Sequence, residues 1–558
     1  MLHRRCVILA VLGPICALAA ADTLPNGVAV GDVDQSSAVL WARSDVVGPI
    51  TFEYGTDSTF AMVEDTVAAE VVDPLVPVKV EITGLSEATR YVYRAVDASG
   101  NGSEGRFRTS AGDGYGGLKF GVSGDWRGEL APYPAISNLP DRDLEFFVAL
   151  GDTIYADFVS PAVPIPQART LEEYRLKHEE ILQAKLGLAS WIDARASTSI
   201  LAMIDDHEVT NDFAGGAPTG SDPRFDEAGD FLNETNLFSN GLQAFQEYHP
   251  VRDEFYGDTG DARTAGKRKL YRFRTYGHDA CVIMLDARSF RDESLEDEDF
   301  DSTRAFMQAS FDPSRTMLGE AQIEDLLADL EQCHEFGVTW KLIIVPEPIQ
   351  NFGPVAAGDR FEGYGYERSR LLGFIDDNGI DNVAFIAADI HGTVVNNLVY
   401  QRSVDGGQIE TTAFEVTTGA VAFDRPFGPA LAESVPAIWE YYQRVPPNVQ
   451  ENLVRTLGNL IVRLLGYPAI GLERSPIDAK LIQGRYHSTN TYGWTEFEID
   501  AVTQCLTVTT YGIDWYGEEE LADDPDEVIS RVPRIVSQFV VQPRLDRTDP
   551  DAPPPCFT

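Results

Sequence analysis

Six near-continuous apolar runs, each closed by an acid, constrain this chain more than any other feature. The runs LKFGVSG, LEFFVALG, SILAMI, DACVIML, WKLIIV and NVAFIAA are followed directly or within two residues by Asp125, Asp152, Asp205-Asp206, Asp286, Glu347 and Asp389. Apolar runs of this kind suit strands covered on both faces, and the helical stretches between them make the pattern α/β. In such sheets ligands bind beyond the carboxyl ends of the strands. Acids that merely form turns explain one or two such coincidences, not six. The carboxylates are therefore expected to converge in one crevice.

Asp125 and Asp152 are 27 residues apart, room for one strand–helix–strand crossover that sets them on neighbouring strand ends. One of the two can bridge a pair of cations. In GDTIY the third residue after Asp152 is Tyr155, whose phenolate is an oxygen ligand for a hard trivalent metal. The next strand delivers Asp205-Asp206-His207-Glu208, and the last delivers Asp389 and His391, on one face if extended. Carboxylates with few imidazoles favour Ca²⁺, Mg²⁺, Mn²⁺ or Fe³⁺ over a thiolate zinc site. Such a site activates water and neutralises phosphoryl oxygens. His207 is the candidate to protonate a leaving alkoxide. Asp286-Ala287-Arg288 offers either a bidentate guanidinium for a phosphate oxygen or a structural ion pair. Asn211 is a Ca²⁺ ligand candidate or a turn former, and Glu347 or Asn351 stands where a further ligand would be sought.

Composition narrows the partners. With 88 acidic against 44 basic residues, a net charge of −44, the chain repels bare nucleic acid and suits hard cations. Arg4-Arg5, the apolar run 6–20 and small residues at 17–21 read as a signal peptide too short to span a membrane, with twin-arginine or ordinary export both open. Export leaves Cys281, Cys333, Cys505 and Cys556; Cys505 with Cys556 is the preferred disulfide, and Cys281, inside an apolar run, reads as a candidate buried thiol.

Residues 26–110 alternate in short runs between turns, as in an all-β sandwich, with Tyr91 in GLSEATRYVYRA the candidate tyrosine corner of a fibronectin type III fold. Thr170 and Glu173 form a capping box opening a helical stretch through Trp191, and 317–336 reads as another helix. The apolar spacing of LVRTLGNLIVRLLG, within 427–480, reads as core.

Together SGDWRGELAPYP, VALGDTIYAD, EEYRLKHEEIL, IDDHEVTNDF, MLDARSFR and ADIHGTVVNNL resemble the alkaline phosphatase D family of exported bacterial phosphoesterases, over residues 26 to about 515. The resemblance implies a metallophosphoesterase four-layer α/β/β/α sandwich behind a fibronectin III/Ig-like domain. It also implies hydrolysis of phosphate monoesters and diesters at alkaline pH with Fe³⁺ and Ca²⁺. It departs at Asp125, where members commonly keep Cys, so a carboxylate replaces a thiolate and the metal identity stays open. The expected organisation is a signal peptide (1–21), a sandwich (22–112), a catalytic domain (113–545) and a tail (546–558). The expected protein is a periplasmic, surface or secreted monomer acting on small phosphate esters, with metals at Asp125, Asp152, Tyr155, Asp206, Asn211, Asp389 and His391. Alternatives are a diesterase for phospholipids or cell-wall polymers, and a non-catalytic calcium-binding surface protein.

Overall fold

The computed structural model describes residues 23–226, 228–296, 301–353, 357–434, 436–464, 466–545 and 553–557. The expected signal peptide and most of the expected tail lie outside these residues. All six apolar runs are strands: Leu118–Trp126, Phe146–Leu150, Ser199–Met203, Ala280–Met284, Trp340–Ile344 and Val383–Ala387. The first three are adjacent and parallel in one sheet, and the last three are adjacent and parallel in a second.

The inner faces of the two sheets share one core, in which Phe120, Val148 and Met203 meet Val282, Leu342 and Ile386. Outside the first sheet lie helices Leu171–Ile181, Ser190–Ser197 and Asn236–Tyr248, packed through Phe147, Tyr174, Trp191 and Phe245. Outside the second lie Glu320–Glu335 and Gly365–Asp377, packed through Ile283, Leu330, Ile343 and Leu371. Both faces of every site strand are thus apolar, which is why the sequence shows runs rather than alternation.

Three local readings differ from expectation. The crossover from Asp125 to Asp152 contains three short 3-10 turns, Gly128–Leu130, Pro134–Ile136 and Leu139–Asp141, in place of an α-helix. Pro134 and Pro140 lack the amide hydrogen that a continuous helix would need there. The helix opened by the Thr170/Glu173 capping box ends at Ile181 and restarts at Ser190, because Leu186 and Gly187 adopt φ of 52° and 83°. Cys281 is bonded to Cys333, while Cys505 pairs with Cys556 as expected. Replacing Cys281 and Cys333 by Ser together should cost roughly 4 kcal/mol, the chain-entropy value for closing so long a loop. A urea midpoint unchanged by that double substitution would contradict it.

The N-terminal strands Val28–Gly31, Ser37–Ala42 and Val78–Thr83 face Gly48–Gly55, Asp65–Val71, Arg90–Val96 and Gly102–Arg108 across a core of Leu40, Phe52, Tyr93 and Phe107. Ser86 N donates to Tyr91 Oη at 2.9 Å, the contact of a tyrosine corner. The sandwich is not a detached bead. Val28–Gly31 pairs in parallel with Ser199–Met203 at Gly31 and Ile200, so its three-stranded sheet continues the sheet of Leu118–Trp126 and Phe146–Leu150. A Cβ at Gly31 would lie 2.4 Å from Ile200 O and 2.5 Å from Pro250 O, which is why glycine stands at the join.

Near this join Arg195 lies over the Trp41 ring and donates to Tyr248 O, and His178 stacks on Tyr248 and meets His249 edge-on at 5.5 Å. Burial pulls both imidazoles down, His249 to about 3 and His178 well below its ordinary value. The unfolded chain then takes up these protons near pH 6.5 and the folded chain does not, so stability falls as pH drops below 6.5. Each histidine should cost roughly 2 kcal/mol between pH 7 and pH 5. Urea unfolding at the two pH values checks this, and His249→Gln should flatten the dependence; an equal slope in wild type and variant would refute it.

Candidate metal centre

The strand ends meet between the two sheets. Asp125, Asp152 and His391 offer donor atoms that all lie within 4.8 Å of one another, and so do Asp152, Asp206 and His207. Asp152 belongs to both groups, as expected of a bridging carboxylate. His391 Nε2 is 3.2 Å from Asp125 Oδ1, and the buried Tyr155 hydroxyl is 3.0 Å from Asp152 Oδ2 and 3.4 Å from Asp125 Oδ1. Phe423 closes this side, stacked on His391 at 3.9 Å and lying 4.9 Å from the Tyr155 ring.

The backbone is bent to aim these groups. Asp125, Asp152, Asp389 and His391 have φ of 64°, 49°, 63° and 55°, a region that costs a non-glycine residue free energy and collects at functional sites. The polar groups are also left short of partners. Asp125 Oδ2 is buried with no hydrogen bond among the described residues. Burial pushes Asp152 well above the carboxylate range, and Asp206, Asp205 and Asp125 add to the push. Burial likewise raises Tyr155, helped by Asp152 and Asp125. Burial and Asp205 raise Asp389 against the pull of Arg288. A cation among these oxygens supplies the missing partner and reverses each of these shifts. The donor set fits metal ions.

His207 is held differently. Its Nδ1 lies 2.6 Å from Asp157 Oδ1, and Asp157 Oδ2 accepts from Asn211 N at 2.7 Å. That leaves Nε2 facing Asp206 Oδ1 at 3.9 Å. Burial pulls the ring down, but Asp206 and Asp157 outweigh it and carry it to about 9. The same imidazolium and Arg288 hold Asp206 below the carboxylate range although burial opposes them. Asp157 had no assigned role in the sequence; its signal was its position five residues after Asp152 in the same loop.

Arg288 is fully buried, and of its two expected roles the structure forms the ion pair. Its guanidinium reaches Asp205 at 2.6 Å, Glu347 at 2.5 Å and Asp359 at 2.9 Å. Arg291, equally buried, joins Glu347 and Asp359. The Arg288 guanidinium is thus taken up by carboxylates, and Glu347 is engaged there too. Asp286 accepts from the Arg288 and Ser289 amides at 3.0 and 2.9 Å and shapes the turn, standing in neither donor group. Asn211 is exposed and its amide donates to Asp212, the turn-forming alternative. Asp389 stands outside both groups too, within the field of Asp205, Arg288, Asp359 and Asp206.

Residues 121–463, more than half of the chain, match the profile described as PhoD-like phosphatase, and residues 16–111 match that of its N-terminal domain. The chain belongs to the PhoD-like phosphatase family. Alkaline phosphatase D of Bacillus subtilis (strain 168) is 26% identical over 402 residues, 67% of this chain and 65% of that protein. The match therefore spans just under two-thirds of this relative's length. The solved structure of PhoD superposes with a TM-score of 0.66 at 20% identity, covering 94% of this chain and 91% of that one, which establishes the shared fold.

Proposed function

We propose that this PhoD-like chain is an exported, metal-dependent phosphoesterase that hydrolyses small phosphate monoesters, releasing phosphate, and/or diesters, releasing an alcohol and a monoester. The observation that carries the reading is Asp152, one buried carboxylate common to two groups of converging donor atoms. In this reading Asp125, Asp152, Tyr155 and His391 would hold one cation, and Asp152 and Asp206, with Asp389 nearby, would hold the other. The hard oxygen donors suit Ca²⁺, and the phenol of Tyr155 suits Fe³⁺ as the trivalent ion. Bound there, such ions supply an activated water and neutralise charge on the phosphoryl oxygens.

The chain's own groups do the rest. Asp157 fixes the His207 ring through Nδ1 and leaves Nε2 as the atom that gives its proton to the departing alkoxide. Arg288 and Arg291 hold Asp205, Glu347 and Asp359 in ion pairs, which offsets part of the negative charge beside the donor groups. The two disulfides suit an oxidising compartment, and no helix among the described residues is long and apolar enough to cross a membrane. Turnover of an aryl monophosphate and of its diester, measured on the same preparation, ranks the two substrate classes. Hydrolysis of neither, with metals supplied, would overturn the reading.

A further inference from the structure

The helix Pro447–Leu464 breaks the expectation that its apolar spacing marks core. Val454 and Val462 are buried, but Leu460, Ile461 and Leu464 are 57%, 43% and 78% exposed. With Leu457 these residues fall at i, i+3, i+4 and i+7, one continuous stripe along the helix. Leu460 and Leu464, with Arg455 and Arg463, line an open groove of about 1080 Å³ between the helix and residues 467–475.

Charge sets this place apart from the rest of the molecule. Acids make up 88 of 558 residues, about one in six, yet residues 452–472 contain Arg455 and Arg463 and no acid at all. Arg455, Arg463 and Arg474 are exposed, and among the described residues none makes an ion pair or a side-chain hydrogen bond. Most of the other arginines are tied to carboxylates. The exposed Glu410 and Glu473 also line the groove, so three unpaired arginines stand there against two acids, a local excess of positive charge in an acidic chain.

We infer that this helix seats the protein on an anionic lipid surface, with Leu460, Ile461 and Leu464 entering the headgroup boundary while Arg455 and Arg463 meet the phosphates. An exposed apolar stripe bordered on one side by arginines has the form of a helix that lies in the interface plane. Within a Debye length of such a surface each arginine is attracted, whereas the acidic remainder of the chain is repelled, so contact is restricted to this one face. The inference does not rest on hydrolysis.

Vesicle flotation with the full chain tests it, using phosphatidylcholine alone and phosphatidylcholine mixed with phosphatidylglycerol. The chain should float with the anionic vesicles at least about tenfold better than with the neutral ones, and lose that preference as salt rises. Leu460→Ser with Leu464→Ser, and separately Arg455→Gln with Arg463→Gln, should each reduce flotation at least about tenfold. Turnover of a soluble aryl phosphate and the far-ultraviolet dichroism should be unchanged in both. Equal flotation of wild type and both folded variants overturns the inference. So does a wild type that ignores anionic vesicles but forms a dimer that the leucine variant dissociates, because the stripe is then covered by a second copy.

Discussion

Asp152→Asn should lower kcat/KM toward an aryl phosphate by about 10³-fold or more, since it removes several kcal/mol of charge stabilisation from both donor groups at once. Asparagine is the informative replacement. Asp152 has φ of 49°, a conformation asparagine tolerates and alanine does not, so the variant keeps the backbone and loses only the charge. The burial of Asp152 among Asp206, Asp205 and Asp125 gives the substitution a second consequence. A repulsive carboxylate is removed from a crowded interior, so the metal-free protein should be as stable as wild type or more so. A large loss of activity with no loss of stability would separate a functional carboxylate from a structural one. Wild-type turnover in Asp152→Asn would remove the bridging role.

His207→Gln should lower turnover by roughly 10²- to 10⁴-fold, the range for loss of a general acid, and the size of the loss should depend on the leaving group. An alkyl phosphate needs its leaving oxygen protonated and should show the full effect. A nitrophenyl phosphate leaves as a stable anion and should show much less. A histidine that acted only as a ligand would depress both substrates alike, which makes the ratio of the two losses the deciding quantity. Asp157→Asn should reproduce part of the effect, because it frees the ring from the 2.6 Å contact that orients Nε2.

The buried strands were legible because both of their faces are apolar, and a strand with no polar face leaves an unbroken run in the sequence. The acids closing the runs were legible for the complementary reason that nothing in a core calls for a carboxylate. Asp125 and Asp152 come together as that logic expects, but on the last strand the donor is His391 and not the closing acid Asp389, while Asp206 is placed by motif alignment alone. Arg288 shows where the logic stops. Whether its guanidinium meets a ligand or a carboxylate depends on which strand ends face it across the crevice, and Asp205, Glu347 and Asp359 come from three separate segments of the chain. Phe423, stacked on His391, carries no chemical signature in an apolar run. The spacing of Cys281 and Cys333 says nothing about a disulfide until the strand Ala280–Met284 is laid against the helix Glu320–Glu335. The helix Pro447–Leu464 has the periodicity of core, and periodicity does not tell which apolar side of a helix the protein covers.

The chain's acidity also takes on a local meaning. A net charge of −44 argues against binding bare nucleic acid and suits hard cations. Many of its carboxylates are paired with arginine, while those around Asp152 are buried without enough positive charge to balance them. That imbalance is what a metal ion would relieve, and only with such ions bound would the crevice accept an anion.

The most direct test of this account is turnover of an aryl phosphate by the purified chain before and after exhaustive chelation, with metal content measured on the same samples. The account predicts metal bound in stoichiometric amount before chelation, activity that disappears with it, and recovery when Ca²⁺ and iron are returned. Full activity in a sample shown to be free of metal would contradict it.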